Sequence, residues 1–268
     1  MSQSNILDQL KNKIYLIAGD ASPRKFYRFN CKKQLLVYCS KDKKNNLVNY
    51  FKINDYLNSN KIKAPLTIEK NIKKNYIIIE DFGDNLMKKI IQKKKNKFLY
   101  FKKIVNELVK LQKIKPNKTL PKYSKKLLID ELNLFYQWYL PEFFSFEKIK
   151  KIKKKINSIL IKYIKQTLRF NKVFVHRDFH VENLILSKGK ICLIDSQDAV
   201  IGHPVYDLMS LIDDVRINLK KKDQDKIYKY YVLKSKKIPK EFNFHFHVLS
   251  IQRLLKILGI FLRLYRRD

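Results

Sequence analysis

The feature that most constrains the fold is a short polar loop, HRDFHVEN, at residues 176–183. Its aspartate, Asp178, stands five positions before its asparagine, Asn183. An apolar run precedes the loop. A second apolar run, a Gly-containing turn and a third apolar run follow it and end at Asp195. Short apolar runs joined by such a turn predict a β-hairpin. We therefore expect the hairpin to return Asp195 to the side of Asn183.

These three polar side chains match the needs of phosphoryl transfer. Mg²⁺ bound to ATP takes oxygen ligands, which Asn183 and Asp195 supply, and the acceptor hydroxyl needs a carboxylate near its proton, which Asp178 supplies. The reaction asks little more of side chains, because it depends mostly on positioning and charge neutralisation. The simpler alternative is an ordinary hairpin with polar loop residues. The joint occurrence of motif, spacing and returning aspartate favours a kinase that uses ATP and Mg²⁺.

The charge of the chain is extreme, with 59 Lys and Arg residues against 24 Asp and Glu residues and a net charge of +35. Lysine carries nearly all of the positive charge and is spread over the whole chain. Nucleic-acid sites usually concentrate charge on one element and use Arg at the bases. The composition therefore indicates A/T-rich codon bias more than a nucleic-acid partner, although the field would help to steer ATP.

The cysteines and the apolar segments bear on the cellular compartment. Three cysteines, odd in number and widely spaced, indicate reduced thiols and no disulfide framework. The N-terminal residues lack the apolar core of a signal peptide, and no segment approaches about 18 uncharged apolar residues. Basic residues interrupt the apolar closing segment 248–265, which favours packing within the protein over membrane contact. We expect a cytoplasmic monomer with a small-molecule substrate and no membrane partner.

The order of the apolar patterns predicts an α+β protein of two parts. Residues 1–82 show about five strand patterns and one helix pattern, whereas the period after them is mainly helical apart from the hairpin. The strand pattern breaks near Gly83. We therefore expect an N-terminal nucleotide-binding lobe at 1–82 and a C-terminal catalytic and substrate lobe at 83–268. The turn at 19–23, between two strand patterns, is a candidate loop over the phosphates.

Motifs along most of the chain resemble those of the aminoglycoside phosphotransferase-like kinases: GDASPRKFYRF, IIIEDFGD, FVHRDFHVEN, LIDSQDAVIGHPVYDLMSLIDD and RLLKILGIF. Within that family, the chain is most similar to the bacterial anomeric kinases for N-acetylmuramate and N-acetylglucosamine of peptidoglycan recycling. The resemblance implies an α+β, protein-kinase-like, two-lobed fold with a small β-rich N-lobe and a larger helical C-lobe. It also implies an ATP-dependent sugar kinase that phosphorylates the anomeric hydroxyl.

The resemblance assigns roles to individual residues. Asp178 would orient the acceptor hydroxyl as the base, and Asn183 and Asp195 would hold Mg²⁺. His176 and Asp207 would be structural. For Asp207, the reason is that an aspartate at a helix start can accept hydrogen bonds from backbone N–H groups and brace the loop. The residues expected to contact the nucleotide are Asp20, Ser22, Arg24, Arg28, Glu80 and Phe82. The residues expected to contact the acceptor are Glu131, Trp138, Tyr139 and Arg177, with core packing as the alternative for Trp138 and Tyr139.

Two features depart from the family pattern. Kinases place a lysine on the third strand, where it pairs with phosphates and with a helix glutamate. The third strand here reads QLLVYC, and the following helix offers only Asp55. Arg24 or Arg28, close to the 19–23 turn, would supply the basic charge instead. Similar proteins also continue beyond the equivalent of Asp268, so we expect a closing segment to be missing.

Two aspartates compete for the role of metal ligand. The literal kinase triplet Asp-Phe-Gly begins at Asp81, which precedes the catalytic loop and ends a strand pattern. Asp195 follows the loop by one hairpin and therefore returns beside Asn183. We assign the metal to Asp195, and we interpret Asp81 and Gly83 as hinge residues whose backbone would meet adenine.

Other functions share parts of this pattern. A protein kinase needs a long segment after the metal aspartate to hold a peptide, and the 12 positions from Asp195 to Asp207 are too few for one. Aminoglycosides, choline and homoserine are alternative acceptors, among which the sequence does not choose. A nucleic-acid-binding pseudokinase is the alternative from another class, and the intact set of Asp178, Asn183 and Asp195 argues against it.

Overall fold

The computed structural model describes residues 6–18, 24–40, 42, 44–235, 238 and 240–267. The chain divides into two compact units: one contains residues 1–107 and 180–198, and the other contains residues 108–179 and 199–268. Residues 83–107 and 180–198 thus pack in the same unit as the N-terminal strands. The predicted division into lobes at 1–82 and 83–268 stays a prediction.

Helices and strands both contribute to the fold, which confirms the predicted α+β class. The strands are β1 (Ile14–Ala18), β2 (Arg24–Phe29), β3 (Gln34–Cys39), β4 (Thr67–Asn71), β5 (Tyr76–Glu80), β6 (Val173–Val175), β7 (Leu184–Ser187), β8 (Lys190–Leu193) and β9 (Val200–Gly202). The helices are α1 (Ile6–Gln9), α2 (Lys44–Ser59), α3 (Met87–Lys93), α4 (Lys97–Lys113), α5 (Lys125–Leu134), α6 (Phe146–Thr167), α7 (Val205–Ile212), α8 (Lys221–Ser235) and α9 (Phe242–Arg267). A π-helical segment (Phe135–Tyr139) follows α5, and 3₁₀ turns lie at Leu140–Glu142 and Leu168–Phe170.

The first unit is built on a five-stranded antiparallel sheet with the strand order β1-β2-β3-β5-β4. Apolar side chains alternate along β3 and β5, so each strand turns one set of them toward the core. Helix α2 packs against this sheet because Leu47, Tyr50 and Leu57 recur at helical spacing and are buried on one face. The sheet therefore has one face that is closed by a helix.

Strands β7 and β8 form the hairpin that the pattern after the catalytic loop predicts. Its turn uses Lys188 and Gly189, both with positive φ (48° and 74°), as a two-residue turn between antiparallel strands requires. Ile185 and Cys192 of the hairpin share an apolar cluster with Phe82. The hairpin is thus part of the core of the first unit.

The second unit is mainly helical and contains the antiparallel pair β6 and β9. Helix α7 is buried along its whole length. It packs against α9, which also packs against α5 and the π-helical segment. Within the described residues, no helix has both the length and the apolar character needed to cross a membrane.

Helix α7 is shorter than the helical spacing of the apolar residues in this part of the sequence predicts. The helical period runs from 205 to 219, whereas α7 ends at Ile212. Just after this end, the carboxylate of Asp213 accepts a hydrogen bond from the Ser250 hydroxyl, and Asp214 accepts the N–H of Arg216 at 3.0 Å. Such side-chain bonds compete with helical backbone bonds. The two aspartates therefore account for the early end of the helix.

Helix α9 approaches the end of α5 with no room for a side chain at Gly259. A Cβ atom added there would lie 2.6 Å from the backbone nitrogen of Phe135 and closer still to the carbonyl group of Leu134. Those neighbours are backbone atoms, which cannot turn aside as a flexible side chain can. The π-helical segment begins at this contact.

We expect Gly259→Ala to lower the free energy of unfolding by about 2 kcal/mol, because it overpacks a backbone contact. Urea titration followed by circular dichroism measures this change. Ile251→Ala, at an exposed position of the same helix, is the control and should change stability much less. Helix propensity alone would make Gly259→Ala about 1 kcal/mol more stable. A stabilised variant would therefore contradict the close approach.

Candidate active site

A cavity of about 460 Å³ lies within the first unit. This volume is in the range of roughly 300–1,000 Å³ that is typical of small-molecule sites. Its apolar lining is formed by Ile17, Ala18, Phe26, Leu35, Tyr50, Pro65, Ile79, Phe82, Leu86, Ile185 and Ile194. Its polar lining is formed by Arg28, Glu80, Asp81, Asp84, Glu182, Asn183 and Asp195, together with the backbone of Gly83. The cavity thus combines an apolar wall with a group of carboxylates and one amide.

The two predicted metal ligands, Asn183 and Asp195, both line this cavity. The hairpin brings them together, because Ile194 donates its N–H to the Asn183 carbonyl at 3.1 Å. Asp195 follows directly with a φ of 64°, a left-handed conformation that aspartate tolerates better than most residues. One carboxylate and one amide oxygen are donors of the kind that Mg²⁺ prefers. The donor set therefore fits a magnesium ion held jointly with nucleotide phosphates.

Asp195 also has a buried cationic partner. Nη2 of Arg24 lies 2.6 Å from Oδ1 of Asp195, and Nη1 lies 2.8 Å from Oε1 of Gln197. The Arg24 side chain is 2% exposed, whereas the Asp195 side chain is 40% exposed. Arg24 does not belong to the cavity lining. Its assignment as a nucleotide contact stays a prediction.

Arg28, four positions further along β2, is bound by the loop that follows β5. Its guanidinium contacts the carboxylate of Asp81 at 2.6 Å and that of Asp84 at 2.8 Å. The hydrogen bond from Arg28 lowers the pKa of Asp84. Arg28 lines the cavity with its charge already paired. Its contact with the nucleotide stays a prediction.

The predicted hinge is held by local hydrogen bonds. Asp81 accepts the N–H of Gly83 at 2.8 Å, and Gly83 has a φ of 79°, a conformation that favours glycine. Glu80 accepts a hydrogen bond from Nζ of Lys63 at 2.7 Å, and that ammonium lies 5.2 Å from the centre of the Phe82 ring. Glu80 and Phe82 both line the cavity, as a nucleotide contact requires. Asp20 and Ser22, also predicted to contact the nucleotide, lie outside the described residues.

The first half of the loop 176–183, for which the sequence predicts a catalytic role, lies in the second unit, and Asp207 anchors it there. The Asp207 carboxylate accepts the N–H of His176 at 2.7 Å and the N–H of Arg177 at 3.0 Å. Burial raises the pKa of Asp207 to about 7, although these two backbone hydrogen bonds oppose the rise. The negative charge of Asp178 also contributes to this rise. These bonds are the ones that a structural role for Asp207 requires. That role and the structural role of His176 stay predictions.

Glu131 is the centre of a buried hydrogen-bonded cluster in the second unit. Its Oε1 accepts from Arg177 at 2.5 Å and from Lys256 at 2.9 Å, and its Oε2 accepts from Tyr123 at 2.7 Å and from Gln252 at 3.2 Å. Burial by itself would raise the pKa of Glu131, but the two cations outweigh it, and the net pKa is lowered. Glu131 therefore holds the side chain of Arg177. Contact of Glu131 or Arg177 with an acceptor stays a prediction.

The two other predicted acceptor residues lie on the π-helical segment. Trp138 is 37% exposed. Tyr139 stacks on Phe135 with ring centres 5.3 Å apart and contacts Phe143 at 5.1 Å. Tyr139 thus takes part in aromatic packing, while Trp138 presents its ring to solvent. Their contact with the acceptor stays a prediction.

Several residues of these clusters were not singled out from the sequence. Tyr50 and Asn54 of α2, Ser196 and Gln197 after β8, and Lys256 of α9 all take part in the networks around Arg24 and Glu131. For Lys256, the signal was a single lysine within the apolar segment RLLKILGIF, since a charge in such a segment needs a partner. The other four carry no comparable signal in the sequence.

The chain is similar to known proteins in sequence and in fold. Residues 14–232 match the sequence model of the phosphotransferase enzyme family. The N-acetylmuramate/N-acetylglucosamine kinase of Neisseria meningitidis serogroup B is 27% identical over 263 residues, which cover 94% of this chain and 78% of the relative. The kinase of the same name from Pseudomonas aeruginosa is 25% identical over 259 residues, covering 94% and 76%. These matches confirm the resemblance that the motifs indicate.

Solved structures with a similar fold are much more distant in sequence. The ADP-bound aminoglycoside phosphotransferase APH(2'')-Ib superposes with a TM-score of 0.74 at 14% identity, covering 100% of this chain and 93% of that one. Choline kinase LicA from Streptococcus pneumoniae gives 0.69 at 12% identity, covering 98% and 90%. These neighbours confirm the predicted protein-kinase-like fold class.

Proposed function

Because the chain belongs to the phosphotransferase enzyme family, we propose that it is a kinase that transfers the γ-phosphoryl group of ATP to the anomeric hydroxyl of N-acetylmuramate or N-acetylglucosamine. The observation that carries the reaction type is the pairing of Asn183 and Asp195 at one cavity, directly after a loop that contains Asp178. The choice of acceptor is supported by the names of the two relatives, whose sequences align with 94% of this chain.

The cavity of the first unit is the proposed ATP site. Its apolar wall, which includes Leu35, Ile79 and Ile185, suits the faces of an adenine ring. The hinge residues Glu80–Gly83 lie along the same cavity and would present backbone groups to the edge of the base. The carboxylates repel bare phosphates, so a cation is needed at that end. A distant structural neighbour carries ADP, which agrees with this assignment.

Asn183 and Asp195 are the proposed ligands of Mg²⁺. When bound, the ion would neutralise charge on the phosphates during transfer. The protein contributes two fixed oxygen donors, which the hydrogen bond between Ile194 and Asn183 keeps together. Glu182 also lines the cavity, but Lys88 pairs with it at 2.6 Å. We therefore assign no metal to Glu182.

Asp178 is the proposed base that orients the acceptor hydroxyl and accepts its proton. The loop needs a fixed backbone for this task, because small displacements of a catalytic group reduce the rate strongly. Asp207 supplies that fixation by accepting the N–H groups of His176 and Arg177. Glu131 adds to it by holding the side chain of Arg177. In this proposal, the loop is ordered without any modification of the protein.

We expect the free reducing sugars to be phosphorylated and their methyl glycosides not to be, because the glycosides lack the anomeric hydroxyl. Release of ADP from ATP, coupled to oxidation of NADH, measures this with N-acetylmuramate, N-acetylglucosamine and their methyl glycosides. Aminoglycosides, choline and homoserine serve as competing acceptors in the same assay. Equal rates with blocked and free sugars would contradict the anomeric assignment. A preference for one of the competing acceptors would replace the sugar as substrate.

A further inference from the structure

The third strand of the sheet carries no basic residue, yet a buried arginine lies beside it. Arg24 of β2 is paired with Cys39 of β3 in the antiparallel register. Its side chain is 2% exposed. A buried charge is strongly destabilising unless it is paired and hydrogen-bonded. The partners of Arg24 therefore indicate what it does in the protein.

The Arg24 guanidinium joins two side chains of the segment that follows β8. Nη2 donates to Asp195 at 2.6 Å, and Nη1 donates to Gln197 at 2.8 Å. Its central carbon lies 4.6 Å from the centre of the Tyr50 ring, close enough for a favourable cation–π contact. The planar fork of an arginine can bind two acceptors in fixed directions, which a lysine ammonium cannot do as well. The position of Asp195 is thus set by β2 and supported by α2.

Helix α2 holds the same segment at a second point. The hydroxyl of Ser196 donates to Oδ1 of Asn54 at 2.7 Å, and both residues are fully buried. Asp195, Ser196 and Gln197 therefore each have a side chain fixed by the sheet or by α2. The φ of 64° at Asp195 is uncommon for a residue other than glycine. Such a conformation persists where surrounding contacts over-determine it.

We propose that Arg24 is a positioning residue that orients the Asp195 carboxylate for Mg²⁺, in the place of the absent third-strand lysine. This inference rests on the proposed role of Asp195 as a metal ligand. Asp195 lines the cavity and Arg24 does not, so the arginine acts from the protein interior. A carboxylate has two oxygens, and the Arg24 guanidinium donates to Oδ1. Arg24 thus directs the carboxylate without contacting the nucleotide.

The test compares nucleotide affinity with and without Mg²⁺ in the whole 268-residue chain. Titration calorimetry gives the Kd of ATP in excess Mg²⁺ and in EDTA for the parent, Arg24→Met, Arg24→Lys and Lys25→Met. Methionine keeps the packing volume over Tyr50 and removes the charge. Lys25, the next residue of β2, is exposed and serves as the control.

Mg²⁺ should strengthen ATP binding in Arg24→Met by a factor about tenfold smaller than in the parent, a difference of about 1.4 kcal/mol. Its affinity in EDTA should stay close to that of the parent. Arg24→Lys should recover part of the gain, and Lys25→Met should match the parent. If Arg24→Met does not fold, Arg24→Lys carries the test, with a smaller loss of the same kind.

Four results would overturn the inference. An equal loss of affinity in Mg²⁺ and in EDTA would place Arg24 on the phosphates. A lower unfolding temperature with an unchanged effect of Mg²⁺ would make Arg24 merely structural. In the double variant, Arg24→Met is added to Asp195→Asn. If this addition reduces the effect of Mg²⁺ on ATP affinity as much as it does in the parent, Arg24 does not act through Asp195. A parent protein whose ATP affinity does not respond to Mg²⁺ would overturn the proposed function as well.

Discussion

The Asp178→Asn variant should fold as the parent does and lose about 10²–10⁴ in kcat, because it removes the proposed base and keeps the shape of the side chain. This loss corresponds to about 3–5.5 kcal/mol of transition-state stabilisation. The substitution should not disturb the loop. Asp178 raises the pKa of the buried Asp207, so its charge opposes the ionised form of the residue that anchors the loop.

Steady-state measurements of ADP formation at saturating ATP and acceptor would report the change in kcat. The Kd of ATP, measured in parallel, should stay close to that of the parent, because Asp178 is not part of the cavity lining. Asp130→Asn is a matched control, since Asp130 is an exposed aspartate that pairs with Lys126 on the surface of α5. Turnover near the parent level in Asp178→Asn would rule out Asp178 as the base.

Asp195→Asn should abolish Mg²⁺-dependent turnover, with a loss of about 10² or more, because one of two proposed metal ligands loses its charge. Asparagine is preferable to alanine here, since the φ of 64° at this position is tolerated by asparagine and strained for most other residues. The variant will also be less stable, because Arg24 is buried and keeps only a neutral partner. Circular dichroism must therefore accompany the kinetic measurement.

Asp81→Asn is the informative comparison, because Asp81 begins the literal Asp-Phe-Gly triplet. Its carboxylate pairs with Arg28 at 2.6 Å and accepts the N–H of Gly83. We expect Asp81→Asn to change ATP affinity or stability while the dependence of the rate on Mg²⁺ stays as in the parent. Titration of Mg²⁺ into both variants while ADP release is followed would separate the two roles. Normal metal dependence in Asp195→Asn would contradict its assignment as a ligand.

The hairpin that follows the proposed catalytic loop could be predicted from sequence because it is local. Asp178, Asn183 and Asp195 lie within one short segment, and the turn at Lys188 and Gly189 determines how the chain returns. Strands β1 to β5 also follow from local alternation of apolar residues. Local patterns predict structure well when all interacting groups are near each other in the chain.

The networks around the catalytic loop could not be predicted because their members are far apart in sequence. Arg24 and Asp195 are separated by 171 positions, and Lys256 is 125 positions from Glu131. Nothing in the sequence around Glu131 distinguishes an acceptor contact from a buried hydrogen-bonded centre. The early end of α7 has the same origin, since Asp213 is bound by Ser250 of a helix that follows later in the chain. Local sequence patterns were thus insufficient where long-range hydrogen bonds determine the structure.

The first unit is built from two separate stretches of the chain, so it cannot be complete until the second stretch has been synthesised. Phe82 packs against Ile185 and Cys192, so the N-terminal strands leave an apolar cluster incomplete until the hairpin has been translated. Domains whose sequence is continuous can fold as they emerge from the ribosome, whereas this unit must wait for about a hundred more residues. A fragment that ends at residue 107 would expose the same apolar surface. We therefore expect the nascent chain to depend on chaperones and the isolated N-terminal fragment to self-associate, both because of this topology.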